Sequence, residues 1–511
     1  MAFISNLPLA HAEIVRQHGA QIALHYPATG EKVTHAELAE LTERIACALH
    51  ARGLQQGQVV ALFHDKSPAA YASMLACLRL GITYTNLDPD SPWERLRKIL
   101  GASQPRIIVN AFEALPHETA LRAAGHWEIL HLRSLPSVTV DLPEITRISG
   151  GTPAYIMFTS GSTGIPKGAV MSHANLLWFI AWSRDRFRIT PEDVLTNANP
   201  IYFDNSVFDF YTAIFARATL APITSAEAKD SRLLVRLINQ AGCTVWFSVP
   251  SLLVYLLTTR ALTSTDFPAV RKIIFGGEGF PKPKLKQLYD LFGHRCDLEN
   301  VYGPTECTCI CSAHTITAAD FDDMQNLATL GPLSQNFDCE ILPLDVTDPE
   351  FGELFLRGPQ VGLGYYRDPA RTAKSFIQNP RHDDYADIGY RTGDLVRRDA
   401  RGWFHFKGRA DFQIKHMGYR IELEEIEAAL GMLPGVRECA VIYQRLGDGL
   451  GQILGYVAMC ETHPSEELVR QVAAILPSYM IPRRITALET LPKNANGKID
   501  RAALHSTLPA T

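Results

Sequence analysis

The chain has 511 residues, 46% of them hydrophobic and 20% charged, with a formal charge of −5. Such a length suits roughly three domain-sized units, or one large body with a smaller appendage, and the composition is that of a soluble globular protein. The balance of charge gives no case for nucleic-acid or membrane-surface binding, and no apolar run approaches the ~18 residues of a membrane span. Met1–Pro8 lacks the basic start and apolar core of a signal peptide, so a cytoplasmic protein is expected. Ten cysteines scattered over so long a chain do not form a disulfide framework.

In chain order, Ala36–Arg52 has helical periodicity, Val59–Phe63 reads as a strand, Tyr71–Leu80 as a helix and Gly81–Leu87 as a strand before the turn Asp88–Pro92. Further strands are expected at Ile107–Val109, Tyr155–Phe158, Gly168–Met171, Thr244–Val249 and Lys272–Phe275, with Ser172 capping a helix. Between Gly352 and Phe406 helices thin out, and Gly/Pro turns suggest a β subdomain. Beyond Gly408–Asp411 the character changes again: Glu422–Leu430 is an amphipathic helix with an acidic start, Glu438–Tyr443 a strand and Glu467–Leu476 a helix. The expected fold class is α/β. A large N-terminal region (1–409) of helix-covered mixed sheets with a β subdomain precedes a small, mobile α+β C-terminal domain (410–511).

Between two apolar strands lies a loop holding Thr159, Ser160, Gly161, Ser162, Thr163, Gly164 and Lys167. Glycines let backbone N–H groups approach a ligand, hydroxyls add donors, and lysine adds a mobile positive charge, so this loop suits polyphosphate oxygens. It is not the nucleotide-triphosphatase loop, because Lys167 is followed by Gly168 and a strand rather than by Ser or Thr and a helix. Elsewhere, Cys307, Cys309 and Cys311 alternate and are expected on one face of a strand, as small buried side chains rather than metal ligands.

Other distinctive segments follow in order: Phe203-Asp-Asn-Ser206, Asn300-Val-Tyr-Gly-Pro-Thr-Glu306, Tyr390-Arg-Thr-Gly-Asp394, Gly408-Arg-Ala-Asp-Phe-Gln-Ile-Lys415 and Asn496-Gly-Lys-Ile-Asp-Arg501. Singly, each has an ordinary reading: Tyr302–Pro304 as a turn, Asp394 as a turn acid, Lys498 as a solvated hairpin lysine. Together with the loop, and with Leu78–Tyr84 and Leu476–Pro482, they resemble the adenylate-forming superfamily over nearly the full chain. That superfamily holds acyl-CoA synthetases, luciferases and peptide-synthetase adenylation domains. The wording of Asp411–Glu427 is most similar to stand-alone D-alanine:D-alanyl carrier protein ligases.

The resemblance implies ATP and Mg2+, and two half-reactions. A carboxylate attacks the α-phosphate to give an acyl adenylate and pyrophosphate; a phosphopantetheine thiol on a separate carrier protein then displaces AMP. In that reading the loop and Lys167 hold the β- and γ-phosphates, and Tyr302 stacks on adenine beside Gly276, Gly277, Asn300 and Gly303. Thr305 faces the α-phosphate, Glu306 the magnesium ion, and Asp394 with Arg409 the ribose. Lys498 bridges the attacking carboxylate and the α-phosphate, and Asp411 is a hinge. Asp204 binds the α-ammonium of an amino acid, its plain alternative being a helix N-cap. The remaining pocket walls are Asn205, Phe208, Ser248, Ile274, Gly276, Val301, Cys309 and Ile310, which suit a small or medium neutral amino acid. Where D-alanyl ligases carry a cysteine this chain has Gly276, and the glycine is expected to make room. A CoA ligase for a small carboxylic acid is the alternative, which Asp204 opposes; the pathway, cell-wall modification or a natural product, stays open.

Overall fold

The computed structural model describes residues 4–506 apart from His126, Ser162, Thr163, Val346 and the segments 447–450, 460–462 and 494–498. Ser162, Thr163 and Lys498 of the expected site therefore lie outside the described residues. The chain divides into two compact units: one of residues 1–87, 103–157 and 168–410, the other of 88–102, 158–167 and 411–511. The second unit thus gathers the Thr159–Lys167 loop and residues 88–102 with the C-terminal tail.

The first unit contains an eight-stranded sheet in which Val194–Asn197, Val245–Ser248, Lys272–Gly276 and Asp297–Tyr302 run parallel. A six-stranded sheet carries Val59–Phe63 between Thr83–Leu87 and Ile107–Asn110, and it ends on Pro153–Thr159 and Lys167–Ser172. All five residues of Val59–Phe63 are buried, as a parallel strand covered on both faces requires. The β subdomain is a five-stranded sheet of Asp338–Pro343, Phe351–Arg357, Phe376–Gln378, Ile388–Arg398 and Phe404–Arg409. In the second unit, Gln413–His416 pairs with Tyr419–Glu422, and a three-stranded sheet of Val436–Arg445, Gly451–Met459 and Arg484–Leu488 has a core that includes Ile426, Leu430, Leu468 and Val472. No described helix is long and apolar enough to cross a membrane.

Local chemistry explains most boundaries. Ser172 caps His173–Phe187 through a reciprocal pair with Asn175. The helix expected from Tyr71 starts at Pro68 because Ser67 caps it, and Gly81, at φ +65, ends that turn so the next strand begins at Thr83. The cysteine run is not a strand. Cys307 closes a short 3-10 turn, and Thr308 and Cys309 sit at φ +57 and +73, which breaks the alternation. All three sulfurs are nevertheless buried.

Candidate active site

In the first unit, register places Asp394 directly opposite Arg409, and strand Asp297–Tyr302 delivers Tyr302 to the same carboxylate. The Tyr302 hydroxyl donates to Asp394 Oδ2 at 2.5 Å, and Arg409 Nη1 donates to Oδ1 at 2.6 Å and to the Thr392 carbonyl at 3.0 Å. Asp394 is buried. Burial, then the adjacent Asp394 charge, pushes the Tyr302 phenol well above its ordinary range, so it remains a donor. A buried, doubly supported carboxylate beside an aromatic ring has acceptor capacity left for a diol.

Asp204 occupies the N-terminal position of the helical turn Asn205–Val207, yet its side chain makes no capping hydrogen bond. Instead Thr305 Oγ1 donates to Asp204 Oδ2 at 2.6 Å. Its charge also reaches Cys309, whose thiol is raised far above its ordinary range by burial first and by Asp204 second. Asp204, Thr305 and Cys309 are therefore one cluster, with Asn205 near by: a β-carbon at Gly277 (φ +94) would stand 3.8 Å from the Asn205 amide.

The remaining walls are buried and uncharged. Phe208 packs edge-on against Phe187 and Phe247, at 5.4 and 5.1 Å between centroids. Ser248 Oγ accepts from Trp246 Nε1 and donates to the Val249 carbonyl, so its hydroxyl is spent within the protein. Ile274, Val301 and Ile310 are buried, and the Asn300 amide donates to the Thr329 carbonyl at 2.8 Å. The expected room at Gly276 is a point of correction. A β-carbon there would fall 2.4 Å from the Val301 carbonyl oxygen and 2.6 Å from Val301 Cγ2. The missing side chain is thus taken up by Val301 on the paired strand, not by a ligand. Gly303 is similarly constrained, since its β-carbon would lie 2.2 Å from the Cys309 carbonyl oxygen.

Glu306 is fully buried and accepts from the Tyr365 hydroxyl at 2.7 Å. Among the described residues no group of three His, Cys, Asp or Glu side chains is gathered for a metal ion. One carboxylate fits a cation held mainly by substrate phosphates and water, the usual habit of Mg2+.

In the second unit the loop is held at several points. Ser160 Oγ donates to the Arg420 carbonyl at 2.7 Å and accepts the Glu422 N–H at 3.0 Å. The Gly161 N–H donates to Glu425 Oε2 at 3.1 Å, Lys98 Nζ donates to the Gly164 carbonyl at 2.7 Å, and Lys167 Nζ lies 3.4 Å from Glu422 Oε1. Glu425 also forms a buried ion pair with Arg95. Gly164 takes φ +72, a conformation that favours glycine. Thr159 Oγ1 is buried with no hydrogen-bond partner among the described residues, an orphan suited to a ligand oxygen. Asp411 accepts from the Gln413 N–H at 3.2 Å where the tail begins. Sequence reading had not assigned Arg95, Lys98, Glu422, Glu425 or Tyr365; the acidic helix start was visible, but not its target.

A buried carboxylate held by a phenol and a guanidinium, a glycine-rich hydroxyl loop and an acid held by Thr305 are the groups expected of an adenylate-forming enzyme, and the family comparison gives that class. Residues 12–366 match the AMP-binding enzyme family and residues 425–498 its C-terminal domain; the chain belongs to that family. It is 36% identical over 481 residues to an L-proline--[L-prolyl-carrier protein] ligase of Pseudomonas fluorescens, spanning 90% of each chain. It is 31% identical to a D-alanine--D-alanyl carrier protein ligase of Bacillus licheniformis, over 93% of this chain and 94% of that one. The fold is shared with NpsA-ThdA, an artificially fused adenylation–PCP di-domain from Klebsiella oxytoca, at a TM-score of 0.81 and 23% identity over 95% and 94% of the two chains.

Proposed function

We propose that the protein is an amino acid–carrier protein ligase of the AMP-forming type. It activates a small or medium neutral α-amino acid with ATP and passes it to the phosphopantetheine thiol of a separate carrier protein, in the cytoplasm. The observation that carries this reading is Asp204: a carboxylate released from helix capping, held by Thr305 and set beside uncharged walls. An ammonium at ~4 Å would interact with it by about 4 kcal/mol at an effective dielectric of ~20, before desolvation. A plain carboxylic acid has nothing to offer Asp204, which disfavours the CoA-ligase reading. Relatives named for proline and D-alanine, both small and neutral, support the substrate class.

In the first half-reaction a carboxylate oxygen of the amino acid forms a bond to the α-phosphorus, and the bond to the leaving pyrophosphate breaks. In the second, the thiol sulfur bonds to the acyl carbon, AMP leaves with the electron pair, and the thiol proton passes to solvent. In-line phosphoryl chemistry asks for positioning and charge neutralisation rather than covalent help from the protein. Asp394 and Arg409 would hold the ribose, Tyr302 the base, and the Thr159–Lys167 loop the β- and γ-phosphates. Glu306 would hold Mg2+, which when bound neutralises phosphate charge. Lys498 is assigned to the attacking carboxylate by motif, and Asp411 is the pivot that lets one face of the tail replace another between steps. An Asp411→Pro variant that loses both half-reactions equally would remove that role.

The reading is tested by amino-acid-dependent ATP–pyrophosphate exchange across D- and L-amino acids. With the preferred amino acid, Asp204→Ala is expected to collapse exchange, by about a hundredfold or more for a lost buried charge pair. Near-normal exchange would sink the assignment.

A further inference from the structure

Lys66 is buried, stands at φ +63 just after strand Val59–Phe63, and spends all three ammonium protons on backbone carbonyls. Its Nζ donates to Asn197 O at 2.6 Å, Ile223 O at 2.6 Å and Asn199 O at 2.9 Å, tying the ends of strands Val194–Asn197 and Thr219–Pro222 together. The matching acid is Asp209, fully buried in the π-helical turn Phe208–Thr212. Its Oδ2 accepts from Asn197 Nδ2 at 2.9 Å and Asn199 Nδ2 at 3.0 Å, while Oδ1 has no hydrogen-bond partner among the described residues. The same Asn199 amide donates to the Phe247 carbonyl at 3.0 Å, and the Tyr71 hydroxyl donates to Asn197 Oδ1 at 2.5 Å. Burial drives Lys66 down and Asp209 up from their ordinary ranges, and each charge opposes the shift of the other.

A charged pair this deep is poor value for stability alone, since apolar side chains of similar volume serve as well. Its connections suggest another use. Phe208 immediately precedes Asp209, and Asp204 and Asn205 lie five and four residues upstream in the same helical stretch. Phe247, held through Asn199, precedes Ser248 and packs edge-on against Phe208. A π-turn contains an extra residue per turn, so the anchor of that turn decides which side chains face the pocket.

We propose that Asp209 and Lys66 are positioning residues of the amino-acid site, fixing the π-turn so that Asp204, Asn205 and Phe208 present one set of contacts to the substrate. The inference rests on the assignment of Asp204 and Phe208 to that site. Full-length Asp209→Asn and Lys66→Met variants are assayed by exchange, with KM for the amino acid and for ATP measured separately and the melting temperature alongside. Each is expected to raise the amino-acid KM about tenfold, the effect of removing a charged hydrogen-bond partner, while ATP KM stays within about twofold. The double variant is expected to be no worse than the weaker single one, as coupled partners require. An unchanged amino-acid KM in Asp209→Asn, or an equal rise for ATP, overturns the proposal. If neither charge variant folds, Tyr71→Phe decides: about a threefold rise confined to the amino-acid KM supports it, and none overturns it. Asp204→Ala in parallel separates the two failures. Retained exchange there removes the pocket assignment itself, whereas collapse there with an indifferent Asp209→Asn removes only the positioning role.

Discussion

Two regions of the molecule carry the groups proposed for a nucleotide, and in both those groups already have protein partners. In the first unit Asp394 is held by a phenol and a guanidinium. In the second, the Gly161 N–H and Lys167 are met by the carboxylates of Glu425 and Glu422. The first set of partners would assist binding: a tyrosine and an arginine hold the carboxylate in place while leaving acceptor sites for hydroxyls. The second set competes, because a carboxylate offers a phosphate-binding loop the same kind of oxygen that a phosphate does. On the proposed assignment the ribose site would be pre-organised, and the polyphosphate site would have to exchange one anion for another.

The most damaging change to this contrast is Asp394→Asn. It removes the negative charge and one acceptor oxygen proposed for the ribose, and with them the ion pair to Arg409. Binding of ATP and of AMP should both weaken by about a hundredfold, as expected for charge-assisted contacts in a desolvated site. Equilibrium binding of each nucleotide measures this. A loss below about threefold would mean that Asp394 serves Arg409 alone.

Lys167→Ala sharpens the comparison by splitting the nucleotides. AMP lacks the β- and γ-phosphates, so its affinity should be retained while ATP and pyrophosphate bind about tenfold more weakly, the share of one point charge at a partly screened site. Equal losses for AMP and ATP would move Lys167 away from the leaving group. The expected effect is smaller than for Asp394 because a long lysine side chain in a loop is less pre-organised than a strand carboxylate fixed on two sides.

Legibility in the sequence followed the same divide between local and distant causes. Val59–Phe63 and Lys272–Phe275 announce themselves as apolar, β-branched or aromatic runs, and Ser172 announces a helix start, because each signal sits within a few residues of its effect. The cluster of Tyr302, Asp394 and Arg409 was reachable from motifs, since each stands in a recognisable segment. Four things were not legible. The alternation of Cys307, Cys309 and Cys311 reads as a strand, and only backbone geometry reveals two left-handed residues inside it. Gly276 reads as empty space, and only strand register reveals Val301 filling it. The π-turn at Phe208–Thr212 depends on a buried acid whose partners lie on other strands. The carboxylates on the Thr159–Lys167 loop are illegible for the same reason, being more than 250 residues away along the chain.

The gentlest test concerns Glu422. Its carboxylate lies 3.4 Å from Lys167 Nζ, with side-chain exposures of 8% and 11%, so the pair is largely desolvated yet too long for a strong hydrogen bond. Glu422→Gln keeps the shape of the side chain and leaves the backbone N–H that donates to Ser160 untouched. It removes the negative charge that an incoming phosphate would displace, while an amide oxygen can still accept from Gln413 Nε2. The sign follows directly: with its competitor neutral, Lys167 is freer for ATP, and the KM for ATP should fall by about twofold to fivefold, the scale of one hydrogen bond's net worth. Pyrophosphate should inhibit thioester formation more strongly in the same variant, because the loop now releases it less readily. A KM for ATP that rises instead would make Glu422 a support of Lys167, as Arg409 is of Asp394, and the two regions would then work alike.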